Sequence, residues 1–194
     1  MTASKIWFPK NEFKEGLTGA LELACFLEKG VKRIPSTLET AMRSFWIVLF
    51  SHSVNIFVIA IMKGEIESLH NVPLGVLLYN DTIRMVFINV LFILILYWLC
   101  KRLEKMDFFP QLICGMNWLQ VIPLITRTPL YWMVTSGYHK MEEASQLELT
   151  LLAYSLLVNA FFISRCLKIS IFGATYLIIM MFMIDQTTFL MVLY

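Results

Sequence analysis

Met85-Val86-Phe87-Ile88-Asn89-Val90-Leu91-Phe92-Ile93-Leu94-Ile95-Leu96-Tyr97-Trp98-Leu99-Cys100 decides the fold. The run has no Asp, Glu, Lys or Arg, and Lys101 and Arg102 follow it at once. A helix crosses a ~30 Å hydrocarbon core in about 20 residues. Extended to an Asn80-Asp81 cap on one side and to Lys105 on the other, this stretch is long enough. Four more runs share its character: Ser44–Met62, Phe108–Thr126, Leu149–Ser164 and Ile169–Tyr194. The chain has 16 Lys and Arg and 14 Asp and Glu, yet the five runs hold only Asp185 among them. Hydrophobic residues make up 58% of the chain and the mean hydropathy is +0.70. Soluble domains hold roughly 45–50% apolar residues and about 25% charged ones, so a soluble domain is excluded. The fold class read from this is all-α, a polytopic bundle of five transmembrane helices preceded by a short amphipathic helix.

Two regions follow. Residues 1–35 form an N-terminal segment, irregular to residue 11. An amphipathic helix is then expected over 12–29, because Phe13, Leu17, Ala20, Leu21, Ala24 and Leu27 recur at helical spacing. Gly30 is placed to end it. Such a helix beside a membrane lies in the interface or packs on the protein; binding a partner is the alternative. Residues 36–194 form the transmembrane domain, with helices over about 37–63, 82–105, 107–126, 144–167 and 170–193. Ser36 and Glu39 have capping-box spacing at the first start. Val72–Tyr79 and Pro129–Val134 are expected as interfacial segments, and Pro123 is expected to kink or end the third helix. No cleavable signal peptide is expected, since Pro9 follows only three apolar residues after Lys5.

Charge supplies an orientation. Lys5, Lys10, Lys14, Lys29, Lys32, Arg33, Arg43, Lys101, Arg102, Lys105, Arg165 and Lys168 fall on one side of a five-span path. Lys63, Arg84, Arg127 and Lys140 fall on the other. By the positive-inside rule the N-terminus is expected in the cytoplasm and the C-terminus outside.

Polar side chains inside hydrocarbon face the bundle or water. Counting helical rise from each basic anchor puts Asn55, Asn89 and Asn117 in one layer near the midplane. His52 and Asn159 lie just below it and Gln120 close by. Such amides commonly bridge helices, a purely structural use; a polar pathway for a solute is the competing reading. The same count separates His52 from Asp185 in depth and matches Asp185 with Arg84, the expected ion pair.

No catalytic constellation is found. His52, His70 and His139 lack carboxylates at ligand spacing, and Ser51-His52-Ser53 points its side chains about 100° apart on a helix. P-loop, GxGxxG and GxSxG patterns are missing. Cys25, Cys100, Cys114 and Cys166 make no CxxC pair. No catalytic, cofactor or metal site is expected, and no cofactor. No dense basic patch with interleaved aromatics supports nucleic-acid binding.

Arg43-Ser44-Phe45-Trp46, Met116-Asn117-Trp118-Leu119-Gln120-Val121-Ile122-Pro123 and Phe161-Phe162-Ile163-Ser164-Arg165 with a later Ile184-Asp185 carry a resemblance. Together with the span pattern they resemble the YIP family of five-span membrane proteins, more narrowly its small uncharacterised alphaproteobacterial members. The order is altered in the first motif, and Met116 stands where the second has Tyr. The resemblance covers about residues 37–193. It implies a bacterial inner-membrane protein of unassigned role and no catalytic residue.

The first functional reading is a non-enzymatic organising or accessory component acting through helix–helix contacts. The alternative is a small-solute or ion transporter or channel subunit that uses the polar layer. Membrane lipid is the expected partner, with a second copy of the chain or a larger membrane complex as further candidates.

Overall fold

The computed structural model describes residues 8–64, 71–138 and 140–193. His70, His139 and Tyr194 lie outside them. The described residues are helical, without strands: α1 Lys10–Ala24, α2 Lys29–Arg33, α3 Leu38–Met62, α4 Leu74–Arg102, α5 Phe109–Leu119, α6 Val121–Thr135, α7 Met141–Leu167 and α8 Ile171–Leu193. Five helical segments are long and apolar enough to cross a membrane, α5 and α6 acting as one. The protein is an all-α polytopic membrane bundle.

α1 and α2 form a hairpin. The amphipathic helix stops at Ala24, short of the expected 29. Phe26 takes a left-handed φ of 56° and the Leu27 amide bonds back to the Glu22 carbonyl, which closes the helix and reverses the chain. Gly30 does not end a helix. It lies inside α2, where an added Cβ would stand 2.7 Å from the Gly19 carbonyl oxygen. The two glycines let the backbones touch. Arg33 then reaches back to Glu15 and Glu22, both at 2.9 Å. Hydrogen bonds to Glu15 first, and to Glu22, raise the Arg33 pKa above its ordinary value.

The hairpin packs on the bundle. An added Cβ on Gly16 would stand 2.2 Å from the Trp118 ring, Tyr154 donates to the Ala24 carbonyl at 2.5 Å, and Gln111 donates to Val31 and Ile34. Glu12 meets Arg43 at 2.5 Å.

Three element boundaries differ from expectation. α3 is capped by Thr37, whose hydroxyl accepts the Thr40 amide at 3.2 Å. Ser36 is not the cap, and Glu39 pairs with Arg43 instead. Val72–Tyr79 is not separate from the second span: α4 starts at Leu74 behind Pro73, so Asn80 and Asp81 are internal. Pro129–Val134 is also helical. Pro123 breaks the third span upstream of itself, at Gln120, because it cannot donate to the Leu119 carbonyl. α6 then runs through Pro129, and the Thr126 hydroxyl bonds back to the Ile122 carbonyl one turn earlier.

Packing is uneven along the bundle. The basic end holds the start of α3 and the α4–α5 and α7–α8 turns. Its core joins Leu96, Cys100, Leu112, Cys114, Trp118, Val158, Phe162 and Ile178. Gly115 admits the Phe162 ring, which an added Cβ would meet at 2.1 Å. Such close contacts at small residues drive association where lipid is as apolar as the interface. The distal end has a small cluster, Met62, Leu130, Val134 and Ala144. Large apolar side chains such as Phe50, Phe57, Trp98 and Phe172 point outward, as lipid-facing residues do.

Candidate functional site

Between these two packed ends α3, α4, α6 and α8 leave a cavity of about 260 Å³. Asp81 is the most buried of its charges, on α4 one turn above Arg84. Only 6% of Asp81 is exposed. Its Oδ1 takes the Arg84 Nη2 at 2.8 Å, and its Oδ2 takes the Asn55 Nδ2 from α3 at 3.0 Å. Arg84 also reaches α8, with Nη1 3.4 Å from the Asp185 Oδ1. One guanidinium thus joins two carboxylates on different helices. A buried charge is retained only when it is paired and hydrogen-bonded, and this geometry does both for Asp81.

His52 completes the cluster. Its Nε2 lies 3.1 Å from the Thr82 hydroxyl, which gives its own hydrogen to the Leu78 carbonyl at 2.8 Å. From this network Nε2 is assigned as the donor. Nδ1 then faces the Asp81 Oδ2 at 3.7 Å with a nitrogen that bears hydrogen only in the imidazolium form. Arg127 and Tyr131 line the distal wall, and the Tyr131 hydroxyl donates to Glu148 on α7.

A second cavity of about 260 Å³ adjoins the first toward the basic end. Ile88, Asn89, Gln120, Pro123 and Asp185 line both. Asn117, Ser155 and Asn159 line the second alone.

The expected single layer of amides does not form. His52, Asn55, Asn89 and Gln120 do line the first cavity. Asn117 instead donates to Ser44 at 2.8 Å, buried in the α3–α5 interface. Ser44 lies 11 residues before Asn55 on α3, or about 16 Å of rise. The depth count failed because it took Arg43 for the membrane edge. Arg43 is paired with Glu12 and Glu39 and its side chain is only 13% exposed, so it needs no headgroup water and sits one and a half turns into α3. The amides also differ in use. Asn55 and Asn117 bridge helices. Asn89 and Asn159 donate back to the Met85 and Ser155 carbonyls of their own helices while lining cavities.

Asp81 was missed as a site residue because the Asn80-Asp81 pair reads as a helix cap. The i,i+3 spacing of Asp81 and Arg84, behind the six apolar residues Leu74–Tyr79 that open the helix, was the usable signal. Among the described residues no cluster of three or more His, Cys, Asp or Glu could hold a metal ion.

Fold and site define a class: an integral membrane bundle with a charged, hydrogen-bonded cavity inside its spanning helices. Its family stays open, since no protein-family model, curated protein or solved structure matches the chain.

Proposed function

We propose that the protein is a small transporter or channel component that takes a small polar solute or ion into the cavity between α3, α4, α6 and α8. The single observation that carries this is the placement of Asp81, Arg84, Asp185 and His52 around an open volume within the spanning helices. Ionisable groups there are expensive and mark ion and solute paths. Asn89 and Asn159 support it, since amides serving only to glue helices would bridge them. The accessory, non-enzymatic role is the second reading, favoured by the Asn117–Ser44 bridge. The YIP-like assignment, the bacterial inner membrane and the cytoplasmic N-terminus belong to the same proposal, resting on the three motifs and the skew of basic residues.

The test is reconstitution in liposomes with an imposed proton or sodium gradient, read by an entrapped pH- or sodium-sensitive dye. Wild-type protein should dissipate at least one gradient, and Asn89→Leu should slow it while leaving the bundle assembled. No flux of either ion, or equal flux through Asn89→Leu, would remove the ion-path reading of this cavity. Asn117→Leu, which removes a helix bridge, should loosen assembly. An N-terminal tag cleavable only in inverted vesicles would support the orientation.

A further inference from the structure

A third cavity, of about 600 Å³, opens at the basic end between the α1–α2 hairpin and the α7–α8 turn. Lys32, Arg165 and Lys168 line it, with Glu28 as the one carboxylate. Glu28 is engaged by the Arg165 Nε at 3.1 Å. Among the described residues the Lys32 and Lys168 ammonium groups have no hydrogen-bond or carboxylate partner. A basic residue after a helix often serves the last carbonyls. That need is met in part by others: Lys105 donates to the Leu167 carbonyl and the Ile169 amide to the Ser164 carbonyl at 3.1 Å. Lys168 also holds a left-handed backbone, φ 49° and ψ 47°, where glycine is the usual residue. A lysine is kept at a strained position, beside a cavity whose net charge is positive and whose other walls include Phe108 and Ile169.

We propose that this cavity binds a phosphate-bearing anion, which a membrane supplies as the headgroup of an anionic phospholipid. Ammonium groups on two different elements and a guanidinium suit a phosphate's several acceptor oxygens. Phe108 and Ile169 suit the glycerol and upper acyl carbons. The inference does not depend on transport, because this cavity shares no residue with the other two.

The test uses the full chain in nanodiscs of phosphatidylcholine doped with phosphatidylglycerol, with lipid retention read by native mass spectrometry. Wild-type protein should retain phosphatidylglycerol over phosphatidylcholine. Lys32→Gln/Lys168→Gln should weaken retention about thirtyfold, taking about 1 kcal/mol for each lysine. Lys101→Gln/Arg102→Gln removes equal charge at the same end outside the cavity, so it loses only the general surface attraction and should weaken retention much less than the cavity pair. Inorganic phosphate titrated against the lipid separates the sources: displacement at low concentration assigns a soluble phosphate compound, and resistance assigns the lipid. The proposal is overturned if wild-type protein prefers neither lipid and takes no phosphate, or if both double variants weaken retention equally. All four side chains are exposed, so thermal unfolding in pure phosphatidylcholine should coincide for the three proteins.

Discussion

Arg84→Met should be the most destabilising single change in the distal half of the bundle. The guanidinium is the shared cation of Asp81 at 2.8 Å and Asp185 at 3.4 Å. Its loss strands two carboxylates, one of them 6% exposed. Breaking a buried pair from one side costs about 3–5 kcal/mol. Asp81→Asn keeps the shape and a partner for Asn55, and Arg84 falls back on Asp185. That loss is one charge-assisted hydrogen bond, about 2 kcal/mol. Asp185→Asn removes the longer contact at a side chain 30% exposed and should cost about 1 kcal/mol or less. The triple variant Asp81→Asn/Arg84→Met/Asp185→Asn carries no stranded charge and should return to within about 1 kcal/mol of wild-type. Unfolding by SDS titration in mixed micelles, followed by tryptophan fluorescence, gives all four values. The reasoning is refuted if the triple variant is no more stable than Arg84→Met, or if Asp185→Asn costs as much as Arg84→Met.

Three further outcomes are expected. Gly16→Val puts side-chain atoms into the Trp118 ring, since even a Cβ would stand 2.2 Å from it; it should destabilise hairpin docking by about 1–3 kcal/mol, seen as faster proteolysis ahead of Leu38. Asn117→Ala removes the bridge to Ser44 at 2.8 Å and should cost about 0.6–1.7 kcal/mol in the same SDS titration. Cys25 is exposed while Cys100, Cys114 and Cys166 are buried; mass spectrometry should find one maleimide adduct per native chain in mild detergent and four after denaturation.

Spans were legible because uncharged runs of this length leave few alternatives. What hydropathy could not show was where a charge stops marking the membrane edge. Arg43 reads as an inner anchor, yet Glu12, 31 residues away, pairs with it inside the bundle. Asp81 reads as a cap, yet Arg84, Asn55 and His52 surround it. The causes differ: a charge paired by a distant segment, as Arg43 is by Glu12, looks in sequence like one facing water, whereas the Asn80-Asp81 pair mimics a cap and masks an i,i+3 ion pair on one helix. One pair 101 residues apart fared differently. Arg84 and Asp185 were matched by depth because each sits on a span whose far end is fixed by a short turn, at Leu103–Lys105 and at Lys168–Ser170.

The uneven packing gives the charged cavity its setting. Fully buried side chains such as Leu96, Leu112, Trp118, Val158 and Phe162 join α4, α5 and α7 in one cluster toward the basic end, with Ala41 and Ile178 adding α3 and α8. Dispersion contacts of this density hold helices together without a hydrophobic drive. With all five spans fixed there, and α3, α6 and α7 rejoined by the small distal cluster, the stretches between need not close on one another, and polar atoms take the space. The break at Gln120 divides the two regimes: α5 on one side is mostly buried, and α6 on the other contributes Pro123, Leu124, Arg127 and Tyr131 to the cavity wall. Gln120 itself lines both cavities. A straight helix through 109–135 would continue the α5 axis past the break. Restoring the missing amide with Pro123→Ala should therefore shift the α6 wall of the first cavity and change any flux that passes through it, while the buried cluster at the basic end is kept.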